Sequence, residues 1–479
     1  MDNLKEKTAR GLLWGGLSGS ATQVLGLFIG IFLARLLSPG DYGIVGVLAI
    51  FTALAGNFQS SGFSQALINI KEPTSKDYNS VFWFNITMSL VMYMVLFFCA
   101  PLLADFFHQP VLVGVSRLVF LSFFISSFGI VQNVYMMKNM MQREMAVCSV
   151  LALAVSGTVG VLLAWQGYAY WSLAWQQVVY CFVMTFTRYC YTDWRPALQF
   201  DMTPVRRMFG FSVKILLTYI VTTIGQNMLT FFFGRLFPIH VVGNYSQANK
   251  WNTMAHTTLS GALGQVVQPV MVSVDDEPGR ELRVFRKMLR FTAFVSFPAL
   301  FGLALVSREF ILLLLGSKWE ETIPLLRVLC VGGAFLPFYM LYQNMALSVR
   351  RSDLYLWCGV SQIAAQLVAI LLLYRQGVFA IVCAYTVLNI VWAVVWQVVS
   401  GKLIALRLHD AAADMLPFML ASGVVMAVTY VATTWIENMI VLLAVRICLA
   451  SLLYVALMKL CKVKILEESI DFLMQRSRR

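Results

Sequence analysis

Acidic residues are scarce in this chain. It has 23 Asp and Glu against 36 Lys and Arg, and charged residues of both signs fill only 12% of its 479 positions. Ordinary soluble domains are about 25% charged, and a chain of this length with so few charges cannot cover itself with a solvated surface. A soluble enzyme, a disordered protein and a nucleic-acid-binding domain are excluded. Groups for catalysis and metal binding are equally thin. The four histidines, His108, His240, His256 and His409, are scattered, and no Cys-x-x-Cys pair occurs among the nine cysteines. There is no metal-ligand spacing, no nucleophile elbow and no disulfide framework to read, so no catalytic residue, metal site or cofactor is expected. Walking the acids along the chain puts each in a loop, a tail or the end of an apolar run, with Asp105, Glu309 and Glu437 nearest an interior. A proton- or sodium-coupled exporter of cationic drugs needs an acid deep in the membrane to hold its cation; none is evident.

Hydrophobic residues, by contrast, make up 59% of the chain. A bilayer core takes about 20 apolar residues per helix, and the apolar runs predict an all-α polytopic membrane protein with about 14 transmembrane helices. The first six run over 11–37, 42–68, 79–104, 111–136, 146–164 and 168–188. The next six run over 208–236, 241–272, 289–314, 323–349, 354–374 and 378–402, and the last two over 416–435 and 439–460. The runs 42–68 and 241–272 are the most polar and carry glycines. Lys5, Lys7 and Arg10 precede the first run with no small-residue cleavage site after it, which reads as a first span and not a signal peptide.

Net charge is +13, and its distribution sets the orientation. With the N-terminus inside, 27 of the 36 basic residues fall in inner segments, among them Arg206, Arg207, Arg280, Arg283, Arg286, Lys287, Arg350, Arg351, Lys462 and Arg479. Outer connections hold only Arg35, Arg235, Arg308, Lys318 and Arg375. The positive-inside rule therefore puts both termini in the cytoplasm, and basic inner segments suit anionic lipid headgroups.

The chain also repeats itself. Ala34-Arg35-Leu36-Leu37 closes the first span with Gly43 following, and Gly234-Arg235-Leu236-Phe237 closes the seventh with Gly243 following, an offset of 200 residues that Gln65 and Gln265 keep. Gln132-Asn133 in span four is echoed by Gln343-Asn344 in span ten. A six-span unit ends on the side where it began, so these are two parallel pseudo-repeats, a transporter architecture with substrate between the halves. The expected lobes are 1–206 and 207–410, with 411–479 holding two extra helices and a basic cytoplasmic tail.

Basic residues inside spans are costly and mark functional sites by default. Lys250 lies about nine residues into its span, near mid-membrane, after the polar stretch Gly243-Asn244-Tyr245-Ser246-Gln247-Ala248-Asn249. Lys214, Arg117, Arg327 and Arg446 lie one to two turns inside theirs, and Arg35 and Arg235 sit at matching outer ends. Cations without acids suit an anionic substrate, best a phosphate or diphosphate. Near span ends the competing reading is snorkelling to headgroups, which is the reading for Arg327 and Arg446. The cavity candidates are Lys250, Arg35, Arg235, Lys214 and Arg117. Gln132, Asn133, Gln226, Asn227, Asn249, Gln343 and Asn344 are polar cavity candidates able to bind sugar hydroxyls, with interhelical hydrogen bonding as the alternative role.

The segment Leu33-Ala34-Arg35-Leu36-Leu37-Ser38-Pro39-Gly40-Asp41-Tyr42-Gly43 resembles the end of the first span in polysaccharide exporters of the MOP superfamily. These are the Wzx-type flippases, and the WzxC-like lipopolysaccharide biosynthesis branch in particular. Gly243-Asn244-Tyr245-Ser246-Gln247-Ala248 resembles the second-half motif of that family, and the resemblance covers essentially the whole chain. It implies a MATE/MOP-like fold in the cytoplasmic (inner) membrane. The implied activity is flipping of an undecaprenyl-diphosphate-linked oligosaccharide of O-antigen, capsule or exopolysaccharide from inner to outer leaflet. Membrane lipids and glycan polymerase machinery are the implied partners, and cationic cavity residues the implied contacts. Two rival readings stay open: a cation-coupled multidrug exporter of the same superfamily, and a membrane glycan polymerase or ligase.

Overall fold

In the computed structural model, residues 19, 21–60, 63–272, 280–349 and 351–463 are described. The basic residues Lys5, Lys7 and Arg10, Arg350 and the tail from Lys464 onward lie outside that set, as does most of 11–20 in the first expected span. The described chain is helical throughout: α1 (Ala21–Leu36), α2 (Pro39–Gly46), α3 (Ala49–Ser60), α4 (Phe63–Asn69), α5 (Ser75–Phe106) and α6 (Leu112–Ser127). Next come α7 (Ile130–Lys138), α8 (Gln142–Trp165), α9 (Tyr170–Tyr191), α10 (Met202–Leu236), α11 (Ile239–Val272) and α12 (Arg280–Leu314). The last six are α13 (Thr322–Gly333), α14 (Leu336–Ser348), α15 (Ser352–Leu373), α16 (Val378–Gly401), α17 (Leu408–Ala432) and α18 (Met439–Leu460). Among the described residues, nine stretches are long and apolar enough to cross a membrane, or ten if the bent pair α6–α7 is one span. The other expected spans fall on α1, only partly described, and on α9, α10 and α11. Gln176, Lys214, Gln226, Asn244, Asn249 and Lys250 keep those last three from reading as apolar.

Chain breaks are chemically marked. After α1, Ser38 opens α2 with a capping box: its hydroxyl accepts from the Asp41 N–H, while the Asp41 carboxylate accepts from the Ser38 N–H at 2.8 Å. This supplies orphan helix-end donors with partners, and Pro39 stands at the first turn where its missing N–H costs nothing. Thr74 and Asp77 build the same box at the start of α5.

The expected span 42–68 breaks between α2 and α3, and α4 follows residues 61–62, which lie outside the described set. The spans expected at 111–136 and 323–349 are also broken, into α6–α7, bent by 42°, and α13–α14. The last two breaks each lie where a threonine of another helix packs on the broken helix. Thr185 of α9 donates to the Ile125 carbonyl at 3.4 Å, and a Cβ on Gly129 would come within 2.9 Å of its hydroxyl. Thr386 of α16 donates to the Val328 carbonyl at 3.1 Å and packs on Gly332 in the same manner. Side chains add donors at both breaks: Arg188 donates at 3.3 Å to the Gly129 carbonyl, which also accepts from Asn133 N, and Ser296 donates to Ala334 O at 2.8 Å. Lipid offers no hydrogen bonds, so such partners are what permit a bend at membrane depth.

Packing divides the chain into two compact units, Met1–Gly243 and Asn244–Arg479. In the first, α8 pairs with α9, α5 and α9 flank α6, and α10 packs on α3, α4 and α5. The linker ahead of α10 is strapped to the head of α5: Asn79 accepts from Ala197 N at 2.9 Å and Trp83 donates to Ala197 O at 2.8 Å. In the second, α17 and α18 pack against α12, which also contacts α13.

Candidate functional site

Two helix starts cross within the first unit through glycines. A Cβ on Gly43 would overlap the Ile239 carbonyl oxygen, and a Cβ on Gly243 would overlap that of Pro39. The contact is reciprocal: each glycine meets the position 200 residues from the partner of the other. Only glycine lets two backbones approach this closely. Gly234 likewise leaves room for Val47 and Phe107. The crossing lies just past Arg35 and Arg235 in the chain. Both arginines are exposed at the ends of α1 and α10; Arg235 contacts His108 Nε2 and stands 5.3 Å over the Phe106 ring.

Below the crossing, α11 has two unlike faces. One stripe, Asn244, Gln247, Trp251 and Asn252, is buried within the second unit. Asn244 donates to Glu321 Oε2 at 2.7 Å and accepts from the Thr322 hydroxyl at 3.0 Å, and Asn252 occupies the space that Gly333 leaves by lacking a Cβ. Trp251 sits edge-on to Phe310, with ring centroids 4.9 Å apart. Among the described residues, the buried Gln247 amide, Trp251 Nε1 and Asn252 Oδ1 have no hydrogen-bond partner. The helical period puts Ser246, Lys250, Thr253 and Thr257 on the other side of α11. Lys250 and Thr257 are exposed there, and the Lys250 ammonium lies 5.8 Å from the Trp251 ring centroid. An all-polar face with an exposed ammonium cannot face hydrocarbon cheaply.

The remaining sequence candidates divide into three groups. Arg117 of α6 is half-buried, its guanidinium 4.2 Å over the Phe97 ring and its Nε donating to the Phe97 carbonyl at 3.4 Å. Arg117 and Arg235 are thus both held at aromatic residues of α5. Asn227 donates to Thr223 O at 3.0 Å within α10, and Asn57 of α3 bonds Thr223 Oγ1 and, at 3.3 Å, Tyr219 O, so the Asn57 amide ties α3 to α10. Gln132 is fully buried on α7 with the Tyr189 hydroxyl beside it; Asn133, Asn249, Gln343 and Asn344 are half-buried and Gln226 is exposed. Lys214 lies on α10, with its side chain outside the described set.

The structure corrects the reading of Arg446. It does not snorkel: 5% exposed, it donates from Nη1 to Glu309 Oε1 at 2.8 Å and from Nε to the Thr433 hydroxyl at 3.0 Å. Glu309 is itself 2% exposed. A second set links Asp414 of α17 to Arg286 at 2.7 Å and Arg290 at 3.5 Å on α12. Matching depth was the available signal: Glu309 sits five residues from the end of α12, and Arg446 seven from the start of α18. Among the described residues no group of three or more His, Cys, Asp or Glu is arranged to hold a metal.

Broken, glycine-crossed helices with polar faces inside an apolar chain define a polytopic transporter-type membrane protein. The fold is that of the lipid II flippase MurJ in an inward closed conformation, at a TM-score of 0.74 and 15% identity, covering 95% of this chain and 99% of that one. Residues 32–324 match the family model described as polysaccharide biosynthesis protein, and the chain belongs to that family. It is 26% identical over 338 residues to the lipopolysaccharide biosynthesis protein WzxC of Escherichia coli (strain K12), covering 69% of this chain and 68% of WzxC. It is 25% identical over 327 residues to the succinoglycan biosynthesis transport protein ExoT of Rhizobium meliloti (strain 1021), covering 68% and 66%.

Proposed function

We propose that this protein is a flippase that carries a lipid-linked oligosaccharide, an undecaprenyl-diphosphate-linked repeat unit of a surface polysaccharide, across the cytoplasmic membrane by alternating access. It is a transporter and not an enzyme. The observation that carries the reading is the polar face of α11, with the Lys250 ammonium exposed in the middle of an otherwise apolar chain. A diphosphate and a glycan cannot shed their water into hydrocarbon unaided. A cation among hydroxyls offers the diphosphate a charge-assisted partner and the sugars hydrogen bonds. Arg35, Arg235, Lys214 and Arg117 are the further cationic candidates, and Gln132, Asn133, Gln226, Asn227, Asn249, Gln343 and Asn344 the polar ones.

The full architecture belongs to the same proposal. Fourteen spans form two parallel six-helix repeats, 1–206 and 207–410, followed by two extra helices and a basic tail in 411–479, with both termini cytoplasmic. The reciprocal Gly43 and Gly243 contacts and the paired threonine contacts at the two broken spans support the repeat. Glycan polymerase machinery is the proposed downstream partner. A cation-coupled drug exporter is disfavoured because the carboxylates buried on α12 and α17, Glu309 and Asp414, are held by arginines.

Deletion of the gene should make one lipid-linked oligosaccharide accumulate on the cytoplasmic side, identified by mass spectrometry of extracted lipids. Lys250→Ala should lower transport of that lipid in proteoliposomes by tenfold or more at normal protein level, and Lys250→Arg should retain much of it. Undiminished transport by Lys250→Ala would remove this face of α11 from the substrate path.

A further inference from the structure

The first unit contains a cavity of about 200 Å³, enclosed by α4, α5, α6 and α10. Its walls are apolar and aromatic, with Phe63, Phe84 and Phe209 set together: Phe63 lies 4.6 Å from Phe84 and 6.5 Å from Phe209 between ring centroids. Met88 is 42% and Phe209 54% exposed, so the cavity is flanked by residues that reach the membrane-facing surface. Three polar residues, Asn85, Ser89 and Ser212, break the apolar lining. Asn85 and Ser212 are each 2% exposed, and among the described residues Asn85 Nδ2 and Ser212 Oγ have no hydrogen-bond partner. Asn85 and Ser212 both lie about 15 Å from the starts of their helices, which the proposed orientation puts at the cytoplasmic side.

Size, walls and these two donors together select a ligand. A cavity of about 150 Å³ lined by apolar side chains holds benzene, so this one holds a hydrocarbon segment of five to ten carbons. A saturated acyl chain would fill it and leave both donors facing methylenes. An isoprene unit brings a carbon–carbon double bond, whose π electrons accept a weak N–H or O–H contact and lie favourably against aromatic rings.

We propose that this cavity is a binding site for one segment of a polyisoprenoid chain, held near its phosphate end while the headgroup is carried. The proposal rests on the flippase reading for its substrate, but its test does not depend on transport. Purified protein in nanodiscs is photolabelled with a diazirine-bearing geranylgeranyl diphosphate, and the labelled peptides are read by mass spectrometry. Labelling is expected on α5 and α10 around Met88, Ser212 and Phe209. It should be displaced by unlabelled geranylgeranyl diphosphate and at least tenfold less well by its fully saturated phytanyl analogue. Ser212→Phe, which fills the cavity, should abolish this labelling. Asn85→Leu, which keeps the volume and removes the donor, should keep the labelling and erase the preference for the unsaturated chain. Label confined to other helices, or equal displacement by the phytanyl compound, would overturn the proposal. Labelling as expected in a protein that moves no lipid-linked glycan would leave the site standing and remove the flippase reading instead.

Discussion

At Arg446 the membrane makes a charge and its partner inseparable. Guanidinium and carboxylate are both almost wholly buried, so removing either leaves the other uncompensated. Breaking such a pair costs about 3–5 kcal/mol, whereas replacing both by apolar groups of similar volume is often neutral. Arg446→Leu and Glu309→Leu should each lower the melting temperature of the detergent-purified protein sharply, and Arg446→Met with Glu309→Leu should recover most of the loss. A double variant as unstable as the singles would mean that the pair is not the source of the effect. Sequence made Arg446 visible as a costly charge but not its fate, because its acid lies 137 positions away on another helix. Lys250 was more legible: the polar residues around it recur at helical spacing, and a polar face can be read from one strip of sequence.

Among the elements, α2 and the start of α11 carry the sharpest steric requirement, since each has a backbone carbonyl where the other would have a Cβ. Gly43→Val and Gly243→Val should both abolish transport in proteoliposomes, to a similar degree because the contacts are reciprocal. Gly359→Ala, where an added Cβ meets nothing within 4 Å, should transport normally. Normal transport by either valine variant would mean that the crossing is dispensable. The glycines and their 200-residue offset were readable in advance, as were most helix positions, because apolar runs of bilayer length report themselves. The breaks in 42–68, 111–136 and 323–349 were not. The second and third lie where Thr185 and Thr386 press on Gly129 and Gly332 from other helices, contacts that no single strip of sequence displays; only Pro337, just past Gly333, marks one of them within the chain.

For the whole molecule, orientation and driving force are the open measurements. Cys190 at the end of α9 and Cys461 just past α18 are exposed thiols that the basic-residue distribution puts in the cytoplasm. A membrane-impermeant maleimide should leave single-cysteine variants at both positions unlabelled in intact cells and label them in inside-out vesicles. Labelling in intact cells would invert the topology. An inside-negative potential favours outward movement of each negative charge by about 2.3 kcal/mol per 100 mV. Collapsing the potential alone in proteoliposomes should therefore slow export of a diphosphate-linked glycan severalfold, and an unchanged rate would show that the potential does not drive it.

The placement of α10 has a consequence for how such proteins can exchange parts. α10 follows the linker 192–201 in the chain and packs back on α3, α4 and α5. A chimera of two relatives joined at 206/207 would seat one parent's α10 on the other parent's helices, with Asn57 and Thr223 coming from different sources. A junction just after Gly243 would keep Pro39, Gly43, Ile239 and Gly243 from a single parent. Recombination between genes of this family should therefore be tolerated there more often than at 206/207.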